Sequence, residues 1–271
     1  KRKKKLKNKF FLSVINMSAE LPSPSSEKRN IWKKEQIEIR QKLNISENEG
    51  LNNPSKTLKL VGGVDISFFK HDPSRAVAAF VVLSYPELKI VYEHYEPVEL
   101  TQPYIPGFLA FREVFLLNDL IQHYLVEKKK SVQVILCDGN GILHPRGVGV
   151  ASHLGVLCGI PTIGVAKTLM KVDGLLEKPV RAECAEKLKA SGDYLELYGR
   201  KNHKDKCYGA AMLVATSTKP IYVSPGHLCS LKQAIEITKL TSNFRIPEPI
   251  RQADLKSRRV VNNILRKEKK K

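Results

Sequence analysis

Three short β-branched and aromatic runs, KLVGGVDISF (59–68), RAVAAFVVLSY (75–85) and KIVYEHYEPVEL (89–100), follow one another with only the turn-forming stretches HDPS and PEL between them. Runs of that composition are strands, and connections that short leave no room for a crossover helix, so the three must pair as an antiparallel meander. Beyond residue 100 the pattern changes character. A long amphipathic helix is predicted from about 108 to 127, and SVQVILCDG (131–139) is apolar almost throughout, as a strand buried on both faces must be. A helix over 147–159, a strand at 161–166, strands near 207–214 and 220–224, and helices near 228–239 and 249–266 complete the reading. The order is βββαβαβ with a mixed tail. It predicts an α/β fold in which an antiparallel meander continues into parallel βαβ units, with helices on both faces of one mixed sheet.

Ahead of the meander, NIWKKEQIEIRQKL (30–43) places Trp32, Ile39 and Leu43 at helical spacing and predicts an amphipathic helix docked on the body. A polar, Asn-rich loop then runs to about Lys56, and residues 17–28, rich in Ser, Pro and Glu, read as a disordered leader. Met17 looks like a more natural beginning than Lys1. The expected organisation is a basic and disordered leader (1–29), a single catalytic domain (30–266) and a basic tail (267–271).

The formal net charge of +19 is concentrated at the ends: the runs at 1–9 and 266–271 carry +7 and +4, leaving +8 on the body. A basic body attracts polyanions, which makes nucleic acid the leading partner class, although excess lysine also serves solubility alone. No apolar run approaches the roughly 20 residues that span a bilayer, so no membrane partner is expected. FFLSVI (10–15) is too short for a secretory signal. The five cysteines have no paired or metal-binding spacing and read as free thiols of a reducing compartment, with cytoplasm and nucleus or nucleolus as the expected locations.

Four acids stand where a core is expected. Asp65 ends the apolar part of VGGVD, where the glycine pair permits close approach of another backbone. A carboxylate there is costly unless paired or bound to a cation, or unless it merely caps the turn to Ser67. Glu113 shares a helix face with Leu109, Leu116, Leu117 and Leu120, where a salt bridge would equally satisfy it. Asp138 closes the buried strand and opens DGNGILHPRG, at the carboxyl end of the strand where α/β sheets bind ligands. Its glycines, with His144 and Arg146, offer amides and positive charge to a phosphate. Asp254 lies on a helix among Arg251, Arg258 and Arg259, an equally good setting for a surface ion pair. Together the four acids suit Mg²⁺, with Mn²⁺ expected to substitute, and that chemistry hydrolyses phosphodiesters. Lys167, beyond TIGVA, can offset charge on a phosphate or stand as an ordinary loop lysine.

At these residues the sequence resembles the endonuclease V family, deoxyinosine 3′ endonucleases of ribonuclease H-like fold. The resemblance lies in six ordered blocks: VGGVDISF, PYIPGFLAFRE, CDGNGILHPRGVGVASHLGV, PTIGVAKTL, VSPGH and PEPIRQADLKSR. It implies that Asp65 and Asp138 bind the catalytic metal, that Glu113 and Asp254 complete the acidic centre, and that His144 and Lys167 support it near the phosphate. It also implies that Tyr104, with Pro103, Ile105, Pro106 and Gly107, forms a wedge that separates bases. A ring on a Pro-stiffened loop suits that task, as it would suit a buried turn. Gly139, Asn140 and Gly141 would wall the pocket of the displaced inosine. The implied reaction is cleavage of the second phosphodiester 3′ to inosine. Closeness to eukaryotic members implies single-stranded or mismatched inosine-containing RNA as the substrate, with DNA as the alternative, and the chain is expected to act as a monomer. The competing readings are another nuclease of the same fold and a noncatalytic inosine- or RNA-binding protein.

Overall fold

The computed structural model describes residues 21–129 and 131–270. The basic run at 1–9, the expected upstream extension to 16 and the first part of the leader lie outside the described residues, as does Lys271. One eight-stranded mixed sheet organises the chain, in the order β3-β2-β1-β4-β5-β8-β7-β6.

The meander forms as expected: β1 (Leu60–Phe69) pairs antiparallel with β2 (Asp72–Ser84), and β2 with β3 (Ile90–Glu99). On its other side β1 pairs parallel with β4 (Val134–Asp138), and β4 pairs parallel with β5 (Thr162–Ala166). The crossovers are the helices Ala110–Lys128 and Val150–Cys158. The remaining strands, β6 (Tyr194–Tyr198), β7 (Cys207–Met212) and β8 (Ile221–His227), continue the sheet antiparallel from β5.

In chain order the helices are α1 (Ser26–Lys42), the single turn α2 (Pro54–Thr57), α3 (Ala110–Lys128), α4 (Val150–Cys158), α5 (Glu177–Lys187), α6 (Leu231–Leu240) and α7 (Glu248–Glu268). Side-chain alternation sorts them between the two faces. Val64, Ile66, Phe80, Ile135 and Cys137 turn toward α3 and α4, whose Val114, Leu117, Ile121 and Leu154 close that layer. Val61, Val134, Leu136, Ile163 and Val223 turn the other way, toward Ile235, Ile237 and Ile250 of α6 and α7. Among the described residues no helix is long and apolar enough to cross a membrane, and all five cysteines are free thiols.

Several boundaries differ from expectation. The expected leader overlaps the first turn of α1, which starts at Ser26 because the Ser25 side chain accepts from the Lys28 amide and caps it. The Asn-rich loop is partly ordered into a turn at Glu49–Leu51 and into α2, with Leu51 and Leu58 plugged into the core. The expected tail is helical to Glu268. Two elements, α5 and β6, have no counterpart in the sequence reading. The α5 helix buries only Val180 and Cys184, too thin a stripe to register as a period. The β6 strand is an edge strand whose large residues Tyr194 and Tyr198 face outward, and its pairing slips between Glu196 and Tyr198.

Candidate active site

The glycine pair in β1 explains how the site can form. A side-chain carbon on Gly63 would lie 2.1 Å from the backbone oxygen of Pro249, so only glycine lets the start of α7 rest directly on the strand. That contact brings the next turns of α7 over β1. Ser257 then donates to Oδ2 of Asp65 at 3.3 Å and shares a 2.7 Å hydrogen bond with Ser67, the next outward residue on the same strand face.

Asp65 and Asp138 stand one step beyond the Val64–Cys137 pair of the parallel β1–β4 ladder, so the two carboxylates are lateral neighbours on the α7 side of the sheet. Glu113 approaches from the first turn of α3, and Lys167 from just beyond β5. The four side chains line one open cavity of about 880 Å³, together with Tyr104, Pro106, Gly139 and Asn140. The Lys167 ammonium donates to Asp138 Oδ2 at 2.5 Å.

Like charges and burial define the electrostatics. Burial first, then the Asp138 and Asp254 carboxylates, push Asp65 up to about 7, against the opposing pull of Lys167 and Ser257. Burial above all pushes Glu113 up to about 8; Arg112 opposes the shift, and Asp65 and Asp138 add to it. Carboxylates in this state are poised for a cation. Among the described residues no three His, Cys, Asp or Glu side chains stand close enough to enclose a metal ion. The Lys167 ammonium against Asp138 supplies positive charge here.

Other expected site residues fall elsewhere. Asp254 acts on Asp65 electrostatically from α7 but does not line the cavity, and Arg258 binds both of its carboxylate oxygens. Tyr104 is 58% exposed, so it is not a buried turn tyrosine. Ile105 packs on the Trp32, Phe108 and Phe111 cluster instead of facing the cavity. Gly141 packs against β8: its amide donates to Ser224 Oγ, and a side chain there would meet the Pro225 carbonyl at 2.0 Å.

His144 and Arg146, read as phosphate-binding charge, are turned away from the acids. Both donate to the carbonyl of Gly107, and the Arg146 guanidinium stacks 4.3 Å over Phe108. Burial, then the Arg146 charge, hold His144 down at about 4, so it is neutral at physiological pH. Arg112 and Phe68 also went unread in the sequence. Arg112 stacks 4.5 Å over Phe68 at the rim of the cavity and donates to the Pro73 carbonyl. The only signal for Arg112 was its place beside Glu113.

A mixed sheet in this order, with carboxylates side by side on its central strands β1 and β4, places the molecule in the ribonuclease H-like class of α/β folds. The endonuclease V family model matches residues 38–255. Mouse endonuclease V is 48% identical over 247 residues, spanning 89% of this chain and 72% of that protein. The catalytic domain of human endonuclease V superposes with a TM-score of 0.85 at 44% identity, covering 89% of this chain and 99% of that one. A Ciona intestinalis endonuclease V, solved with a 23mer DNA containing an inosine followed by a ribo-adenosine, superposes at 0.82 with 39% identity, covering 89% and 100%. The chain belongs to the endonuclease V family.

Proposed function

We propose that the protein is a metal-dependent endonuclease that hydrolyses the second phosphodiester bond 3′ to inosine, preferentially in single-stranded RNA. The observation that carries this reading is the meeting of Asp65, Glu113, Asp138 and Lys167 in one cavity beside the exposed Tyr104. The donor chemistry fits a hard divalent cation. All the acids offer oxygen, burial above all and then their mutual repulsion raise Asp65 and Glu113, and binding such an ion would offset both. Asp65 and Asp138 would hold Mg²⁺ or Mn²⁺, and when bound the ion supplies an activated water and charge stabilisation at the phosphate.

The chain's own groups have separate tasks. Lys167 offsets charge at Asp138 and on a phosphate entering beside it. Ser257 fixes the Asp65 carboxylate through Oδ2. Tyr104 offers a stacking face to a neighbouring base. Gly139, Asn140 and Val150 line the open cavity as well as a second, small one beside it, and would wall a displaced base with backbone groups. The RNA preference rests on the resemblance of the sequence blocks to eukaryotic members of the family. The Ciona protein was solved with DNA in which a ribo-adenosine follows the inosine, so it bears both on this reading and on a second one, a deoxyinosine-specific repair endonuclease.

End-labelled single strands carrying one inosine, made as matched RNA and DNA, test both readings with Mg²⁺, with a chelator, and with Asp65→Ala. The expected result is a metal-dependent cut one nucleotide beyond inosine by wild type alone, faster on RNA. Faster cutting of DNA would select the second reading. No inosine-dependent cut on either strand would overturn the function and leave nucleic-acid binding without catalysis.

A further inference from the structure

Gln36 is a buried polar residue on the inner face of α1, 1% exposed, with its side-chain amide fully engaged. Its Nε2 donates to the carbonyl of Gly107 at 3.1 Å and to that of Val148 at 3.2 Å, and its Oε1 accepts from Arg146 Nε. The Gly107 carbonyl also accepts from His144 Nε2 at 3.1 Å and from the Arg146 guanidinium. Three donors from α1 and the 139–149 loop therefore converge on one backbone oxygen.

That oxygen occupies a sensitive place. Gly107 ends the Pro103–Gly107 loop in the left-handed region, at φ +81°, and a side chain there would meet the Arg146 guanidinium at 2.8 Å. Three residues later α3 begins, and three further on stands Glu113. Between the two clamped loops lies the small cavity of about 40 Å³, bordered by Gln36, Tyr104, Gly107, Asn140 and Val148. Backbone bonds tie the 139–149 loop to itself and to the sheet, as from Gly149 to Gly141 and from Ile142 to Pro225, but among the described residues none joins it to the Pro103–Gly107 loop, so side-chain bonds bridge the two.

We infer that Gln36 is a positioning residue: through the Gly107 and Val148 carbonyls its amide sets the gap between the Tyr104 loop and the base-facing loop, and so the depth at which Tyr104 enters a paired strand. The inference rests on the proposed inosine-directed function. A loop that parts bases matters most where bases are paired, so the cost of loosening it falls chiefly on duplex substrates. Misplacement by about an ångström at such a site is worth up to about a hundredfold in rate.

The test uses Gln36→Ala and Gln36→Glu in the full chain. The glutamate keeps the acceptor for Arg146 and loses both donors. Single-turnover cleavage is measured with Mg²⁺ on an inosine-containing single strand and on the same strand annealed opposite a mismatch. Both variants are expected to lose at least about tenfold on the duplex and less than about threefold on the single strand. That ratio is taken within one preparation and is insensitive to the fraction folded. Amide exchange supplies a readout independent of activity: the Phe108 amide, which donates to the Ile105 carbonyl at 2.9 Å, should exchange at least about tenfold faster in both variants, with β1 and β4 unchanged. Equal losses on the two substrates, or unchanged exchange at Phe108, overturn the inference. An inactive wild type would instead count against the proposed function, and the exchange result would still decide whether Gln36 holds the loop.

Discussion

At the scale of single residues, the site is a set of carboxylates held near the edge of ionisation. Asp65 at about 7 and Glu113 at about 8 are protonated over much of the range where ordinary carboxylates are charged. Asp65→Asn should therefore abolish metal-dependent cleavage, by at least about a thousandfold, while raising the metal-free unfolding midpoint at pH 8 by at least about 2 °C. Calorimetry with a chelator checks the second half; a lowered midpoint would show that Asp65 stabilises the fold as an anion. Lys167→Met should reduce cleavage about ten- to a hundredfold. Its ion pair with Asp138 is half exposed, so the midpoint should fall by less than about 2 °C. The acids at 65, 113 and 138 were legible because each interrupts an apolar pattern. Gln36 was not, since a glutamine among EQIEIRQ looks like any exposed helix position until the partner loops are in place.

At the scale of elements, the decisive contact is the start of α7 on β1. Gly63→Ala places a carbon against the Pro249 backbone oxygen, which no rotamer change can relieve, so strand and helix must separate. The expected cost is at least about 3 kcal/mol, the upper end for overpacking, measured by urea unfolding. Activity should fall further than the unfolded fraction accounts for, because α7 carries Ser257 and Asp254. A cost near that of an ordinary surface substitution would mean the contact is easily relaxed. The glycine pair in VGGVD announced a close backbone approach, but not which element makes it. The edge elements were harder still: α5 buries two side chains and β6 turns its tyrosines outward, so neither carries the periodicity that marks a helix or strand.

At the scale of the whole molecule, proton binding ties stability to pH. The unfolded chain releases the Asp65 and Glu113 protons near 4, whereas the folded chain keeps them to about 7 and 8. The folded state thus binds more protons between pH 4 and 8, and these groups make stability fall as pH rises through that window. His144 and His153 act oppositely: burial above all holds both at about 4, so stability is lost as pH falls from 6.5 toward 4. Between about pH 6.5 and 8 the acids act with little opposition. The metal-free unfolding midpoint should decline there, and millimolar Mg²⁺ should raise it more at pH 8 than at pH 5, since the ion competes with protons for the same oxygens. Equal shifts at both pH values would place the ion elsewhere. The sequence by itself determined the meander, the parallel β4 and β5, and the acids that interrupt apolar runs, because burial and strand period are local signals repeated over many residues. Only the tertiary structure decided that His144 and Arg146 hold a loop carbonyl, that Asp254 stays beside the cavity with Arg258, and that Gln36 links α1 to both loops. Those assignments depend on which distant backbone groups each side chain meets.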